Sequence, residues 1–240
     1  MSSDFVDREC IEKKLSAAKI FEVICIGREL LDGRVLDTNS HYIAQELKTL
    51  GHRLQFAQKV DDDPKRMKQS FEFASDRSDV VFVTGGLGPT SDDRSAEVFS
   101  QLAGREFKLN EKAADIVKDF LARKNSDWNE EQAKQAKMPE GSWALNNFLG
   151  TAPGFVCLFN GTLFVFMPGV PVEMKAMFQS LILDYFSSKS GTELQKTWVT
   201  QFTRESELEK RLREFSSTLP REFELSFRTR FPENHVSLHL

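Results

Sequence analysis

Cysteine is scarce: Cys10, Cys25 and Cys157 are the only three in 240 residues, an odd and scattered set with no C-x-x-C spacing. That excludes a disulfide framework and gives no zinc-site pattern. Cys25 and Cys157 sit inside apolar runs, where cysteine behaves as a small core residue rather than a nucleophile. Long apolar runs are lacking too. No stretch approaches the roughly 18 residues that a membrane span requires, and residues 1–18 carry too many charges (Asp4, Asp7, Arg8, Glu9, Glu12, Lys13, Lys14) for a signal peptide. A cytoplasmic protein is expected. Nor is there an excess of positive charge: the formal net charge is −4, which leaves no electrostatic footprint for nucleic acid. Small molecules or protein partners are the better expectation.

What remains is an ordinary globular composition, 40% hydrophobic and 28% charged. The length suits one large domain, or one domain with a small companion. The densest signal runs from Asp79 to Ser95. Val80, Val81, Phe82 and Val83 form an apolar run that stops at Thr84-Gly85-Gly86, passes Gly88 and Pro89, and meets Asp92 and Asp93. The run reads as a buried parallel strand. A strand whose carboxyl end opens into a glycine loop is where open α/β sheets bind ligands.

In chain order, residues 1–18 read as a polar arm with one weak helical face (Ile11, Leu15, Ala18). Lys19 to Ile26 is a first strand, followed by a polar loop from Gly27 to Asn39. Asp37, Thr38 or Asn39 can cap a helix that carries Ile43, Leu47 and Leu50 and stops at Gly51. Arg53 to Val60 is a second strand. Asp61, Asp62 and Asp63 then precede Pro64 and a helix to about Asp76; three aspartates there serve as caps, or one of them points into a site. Helices follow at 95–102, 111–124 and 130–137, completing a β-α-β-α-β-α pattern of a parallel sheet covered on both faces. Met138 to Gly154, rich in Gly, Pro and Asn, reads as a long ordered loop. Phe155 to Phe159 and Thr162 to Met167 are strands joined by Asn160-Gly161, a hairpin signal. A helix spans 172–186, its Met174, Met177, Phe178 and Leu181 forming a core face. Ser187 to Thr192 is a linker. A strand (197–202), a helix (205–216) and two more strands (222–228 and 235–240) make a small α/β appendage that leaves the sequence in mid-strand.

Parallel topology gathers Glu29, Asp62, Asp92, Asp93, the glycine turn, and the loops Gly150 to Gly154 and Pro168 to Pro171 at one sheet edge. Glycine-turn amides can cradle phosphate without a cationic side chain, and neighbouring carboxylates can hold a hard divalent ion. Each feature alone is also explained by steric turn closure and helix capping. Gly-Gly-Leu-Gly is neither a Walker A loop nor a Rossmann fingerprint.

Thr84-Gly85-Gly86-Leu87-Gly88-Pro89-Thr90-Ser91-Asp92-Asp93 resembles the signature of the competence/damage-inducible protein CinA family, in its amino-terminal domain, which is related to the MoaB/Mog molybdopterin-binding proteins. The likeness extends through Gly27 to Gly33, Asp37-Thr38-Asn39, Val60 to Pro64, Lys134-Gln135-Ala136, Met138 to Gly141, Gly150 to Gly154, Pro168 to Pro171 and Glu173-Met174-Lys175. It implies a three-layer α/β/α domain with a mostly parallel sheet over 19–187, preceded by the 1–18 arm, and a small KH-like domain over 188–240. It also implies a homodimer and a metal-dependent, Mg²⁺-type pyrophosphatase that cleaves ADP-ribose to AMP and ribose 5-phosphate. The catalytic residues it implies are Asp62 and Asp93. Metal contacts would come from Glu29, Asp92 and Asp93, and substrate or phosphate contacts from Gly85, Gly86, Gly88, Thr90, Arg28, Asn39, Gly150, Thr151 and Gly169.

The chain departs from the family at Arg28, where threonine is usual, at Arg94 and Ser95, and at Thr203-Arg204, which replaces a glycine-containing turn. An Arg28 guanidinium could clamp a phosphate or pair with Glu29 or a nearby aspartate. Two other readings use the same loops: a molybdopterin-like or nucleotide-binding module without turnover, and a pterin adenylyltransferase. The tail shows no Gly-x-x-Gly loop, so nucleic acid is not an expected partner.

Overall fold

The computed structural model describes residues 5–185, 195–201, 203–220, 223–230 and 232–239. The chain divides into two units. The first holds 5–48 and 52–185, and the second holds 49–51 and the described residues of 195–239.

In the first unit the elements run α1 (Arg8–Ala17), β1 (Phe21–Ile26), α2 (Arg28–Leu31), α3 (Asn39–Thr49), β2 (Leu54–Val60), α4 (Pro64–Ser75), β3 (Val80–Thr84), α5 (Ser95–Leu102), β4 (Phe107–Leu109), α6 (Glu111–Arg123), α7 (Glu130–Gln135), β5 (Lys137–Pro139), β6 (Trp143–Leu145), β7 (Gly154–Phe159), β8 (Thr162–Met167) and α8 (Pro171–Tyr185). The main sheet has the order β2-β1-β3-β8-β7-β6. The first four strands are parallel, and the β8-β7 and β7-β6 pairs are antiparallel. This is the mostly parallel α/β sheet that the alternating pattern predicts. Burial explains why the central strands were legible: β1, β3 and β8 are covered on both faces along their whole length, and such strands read as near-continuous apolar runs, interrupted in β1 by the ion-paired Glu22. The edge strand β2 is largely exposed.

Phenylalanine dominates the core. Phe71 of α4, Phe99 of α5 and Phe155, Phe164 and Phe166 of β7 and β8 are almost fully buried. Phe155 stacks on Phe166 at 4.3 Å between centroids, and Phe71 meets Phe99 edge-on at 5.5 Å. Each ring contributes about 1.5–3 kcal/mol by burial, and together they bind α4 and α5 to β7 and to β8, the neighbour of the strand that carries the glycine loop. Asn160 and Gly161 take positive φ (49° and 82°) in the β7–β8 turn, the geometry of a two-residue hairpin.

Two stretches differ from the sequence reading, and a third, the amino-terminal arm, bears out its helical face of Ile11, Leu15 and Ala18. The predicted loop from Met138 to Gly154 contains β5, paired antiparallel with β4, and β6, paired antiparallel with β7. Strands of three residues are too short to show a period; the pairing edge offered by the partner forms them. Gly27 to Asn39 contains the single turn α2. The amino-terminal arm is the helix α1, capped by Asp7, which accepts the Cys10 N–H at 2.8 Å, with Ile11 and Leu15 fully buried.

In the second unit β9 (Gln195–Gln201), α9 (Glu205–Thr218), β10 (Glu224–Arg230) and β11 (Glu233–His239) form a three-stranded antiparallel sheet of order β10-β11-β9 with one helix. The predicted linker, 187–192, lies outside the described residues. Among the described residues no helix is long and apolar enough to cross a membrane.

Candidate functional site

The carboxyl ends of β1, β2, β3 and β8 open into a cleft of about 550 Å³. The loop after β3 forms one wall. Gly85 and Gly86 have φ of 104° and 69°. A Cβ on Gly85 would lie 2.3 Å from the Ile26 carbonyl oxygen, and one on Gly86 2.0 Å from Ser95 Oγ. Only glycine satisfies both the backbone and the contact. Ser95 locks the turn from α5, its hydroxyl donating to the Gly85 carbonyl at 2.9 Å and its N–H to the Gly86 carbonyl at 3.1 Å. The N–H groups of Gly86, Leu87 and Gly88 then donate to no protein acceptor among the described residues. Successive unpaired amides in such a turn are an anion-binding concavity.

The three aspartates after β2 divide their work. Asp63 caps α4, accepting the Arg66 N–H at 2.9 Å. Asp61 takes the Arg28 guanidinium at 3.0 Å, and that hydrogen bond holds the Asp61 carboxyl below its usual range. Asp62 lines the cleft and accepts the Arg28 backbone N–H at 2.9 Å. So one aspartate caps the helix, one pairs with Arg28 and one lines the cleft.

Asp93 also lines the cleft. Its Oδ2 accepts the Thr90 N–H at 3.0 Å and the Thr90 hydroxyl at 2.6 Å, closing the turn Thr90 to Asp93. Lys134 donates to the Thr90 carbonyl from the other side. Thr90 and Asp93 are thus placed on each other. Asp92 is exposed beside them, bonded to the Ser91 hydroxyl at 3.0 Å.

Of the residues expected at the site, Glu29, Asp62, Gly85, Gly86, Gly88, Thr90, Asp92, Asp93, Thr151 and Gly169 line the cleft together. Three do not line it. The Arg28 side chain is 66% exposed and turned to Asp61. Asn39 lines a smaller adjoining pocket, where its Nδ2 donates to the Gly169 carbonyl at 2.9 Å. The space a side chain on Gly150 would need is filled by the Glu173 carboxylate. In that smaller pocket Cys25 is buried, and burial pushes its thiol up to about 12, so it is no nucleophile.

Glu173 and Gln135 line the cleft as well. Their motifs are visible in the sequence, but nothing there gives them a role. Glu173 is held by Asn147, whose Nδ2 donates to Glu173 Oε2 at 2.7 Å and to the Ala152 carbonyl at 2.9 Å, while its Oδ1 accepts the N–H groups of Leu149 and Gly150. An asparagine that caps its own loop two and three residues on is a readable turn signal.

Electrostatically the lining is one-sided: Glu29, Asp62, Asp92, Asp93 and Glu173 line it, and among the described residues no lysine, arginine or histidine does. A phosphate ligand therefore meets free amides and negative charge, a combination that favours accompanying cations. Among the described residues no three carboxylate, histidine or cysteine side chains converge as a metal cage. The all-oxygen donor set fits Mg²⁺, which binds through one or two carboxylates with water and substrate phosphates completing its shell.

Residues 22–188 match the family model described as a probable molybdopterin binding domain. A competence-damage inducible protein of Caldicellulosiruptor saccharolyticus is 38% identical over 195 residues, covering 80% of this chain and 47% of the relative. A CinA-like protein of Dictyoglomus turgidum is 38% identical over 170 residues, 71% of this chain and 41% of the relative. The chain therefore spans less than half the length of these curated relatives. Among solved structures, CinA from Thermoplasma acidophilum, described as of unknown function, is 33% identical with a TM-score of 0.64, covering 70% of this chain and 98% of that one.

Proposed function

The chain belongs to the CinA family through a domain of the molybdopterin-binding type, and from that premise we propose that its cleft hydrolyses the diphosphate bridge of ADP-ribose or a similar nucleoside diphosphate sugar. The observation that carries this reading is the run of free N–H groups at Gly86, Leu87 and Gly88 in a cleft whose charged lining residues, among those described, are all acidic. The amides bind the diphosphate and stabilise charge that builds on its oxygens in the transition state. Asp62, fixed through one oxygen by the Arg28 N–H, orients a water and takes its proton. One or two of the cleft carboxylates Glu29, Asp92 and Asp93 would hold a divalent ion, which when bound would neutralise phosphate charge and lower the pKa of water. Asp93 also keeps the Thr90 turn closed, so its replacement alters loop geometry as well as charge.

The test gives purified protein ADP-ribose with Mg²⁺ or Mn²⁺ and follows AMP. Release that collapses in Asp62→Asn supports the reading. No AMP with any divalent ion removes it. A second reading, a nucleotide or pterin binder without turnover, draws on the lack of a three-ligand metal cage among the described residues. A pure binder is stabilised by ligand that it leaves intact, which a thermal shift with product analysis detects.

A further inference from the structure

Gln135, the last residue of α7, is 7% exposed and lines both the main cleft and a smaller adjoining cavity. Its Oε1 is sealed from solvent and has no hydrogen-bond partner. No described residue bonds to any part of its carboxamide. Gln58 donates to Glu22 and accepts from Ser70, and Asn147 uses both of its ends; the oxygens of Asn39 and Gln132 are buried without a partner as well, but of the three residues it is Gln135 that lines the main cleft. A buried polar group left without a partner costs stability, and such groups in native proteins call for a functional account.

We infer that Gln135 reads the edge of an amino-substituted nitrogen heterocycle, its carboxamide turning from its sealed position toward the cleft so that Oε1 accepts from the exocyclic amine and Nε2 donates to the neighbouring ring nitrogen. A carboxamide offers one acceptor and one donor side by side in a plane, which matches an amine next to a ring nitrogen, as on adenine. Phosphate is the wrong partner for Oε1, because both are acceptors. Of the two lysines that line the smaller cavity with Gln135, Lys134 is engaged at the Thr90 carbonyl, and neither it nor Lys137 bonds to the carboxamide. Leu87, 8% exposed, lines both cavities with Gln135 and gives a flat ring an apolar wall. The inference deepens the proposed function, resting on it for a ligand in this cleft but not for turnover. Purines and pterins share the edge chemistry.

The experiment measures binding, not hydrolysis, by calorimetry on the full chain with AMP, a 2-amino-4-oxopteridine and ribose 5-phosphate, for the wild type and Gln135→Met. Methionine keeps the length and removes both hydrogen-bonding groups; a melting curve checks that the variant folds. About a tenfold loss of affinity for the heterocyclic ligand, with ribose 5-phosphate unchanged, is expected. Loss on AMP assigns a purine. Loss on the pteridine alone assigns a pterin, which sinks the diphosphatase reading while this inference stands. An equal loss on ribose 5-phosphate, unchanged affinity for both heterocycles, or a wild type that holds neither heterocycle more tightly than ribose 5-phosphate would overturn it.

Discussion

Two polar clusters sit on the same parallel strands and are finished to different degrees. Around Glu22, at the amino end of β1, every acceptor is used. The side chain is fully buried and takes Arg77 at 2.5 and 3.0 Å, Gln58 at 2.6 Å and Ser78 at 2.8 Å. Burial alone would push its carboxyl up, but the Arg77, Gln58 and Ser78 hydrogen bonds outweigh that and hold it below the usual range. Around the cleft, at the carboxyl ends, three successive amides, two carboxamide oxygens (Asn39 and Gln135) and a set of carboxylates are left short of partners or of opposite charge. The first cluster supports the sheet. The second has the incompleteness expected where a ligand supplies the missing half.

The largest effect should come from the cleft. Asp62→Asn keeps an oxygen for the Arg28 N–H but removes the base, so AMP release from ADP-ribose should fall about 10²–10⁴-fold with an unchanged melting temperature. Asp61→Asn, one residue away, loses only a surface pair with Arg28 and should leave turnover within about twofold. Equal losses in the two variants would erase the division of labour among the three aspartates.

Glu22→Gln should show the opposite profile, with ligand binding intact and stability down by about 2–3 kcal/mol in urea denaturation. The lower end of the buried-pair range applies because Arg77 is 39% exposed and can rehydrate. The pH dependence follows from the depressed Glu22 pKa. Between the folded and unfolded values the unfolded chain binds more protons, so stability rises with pH there. The contribution is complete above the unfolded value of about 4.3 and is lost as pH falls through the lower folded value. The gap between wild type and Glu22→Gln should thus stay constant from pH 7 to about 5 and close under acid. A gap that narrows above pH 5 would contradict the depressed value.

The same contrast explains what could be read in advance. Buried strands announce themselves because both faces are almost wholly apolar, so β1, β3, β7 and β8 follow from their apolar runs, with Glu22 the paired exception. β4, β5 and β6, three residues each, form because a partner edge is available, which no local pattern encodes. The glycine loop was legible since Gly85, Gly86 and Gly88 have few other uses beside two aspartates. Side-chain partition was not: Asp61, Asp62 and Asp63 are chemically identical and adjacent, and only the positions of Arg28 and Arg66 separate an ion pair, a site carboxylate and a cap. Gln135 stayed silent because a missing hydrogen bond leaves no mark in a sequence.

The smallest effects give the sharpest comparison, because one substitution should change sign between the clusters. Gln58→Met removes the donor to Glu22 and the acceptor for Ser70, leaving buried polar groups unpaired. It should destabilise by about 1–2 kcal/mol. Gln135→Met removes an oxygen that has no partner and replaces it with an adaptable apolar group in contact with Leu87's cavity wall. It should stabilise the ligand-free protein by about 0.5–1 kcal/mol. Denaturation midpoints at unchanged m-value measure both. If Gln135→Met destabilises as Gln58→Met does, then Gln135 is a structural residue and the cleft is more complete than its free groups indicate. If the signs differ, the stability forgone at Gln135 is the signature of a group kept for a ligand.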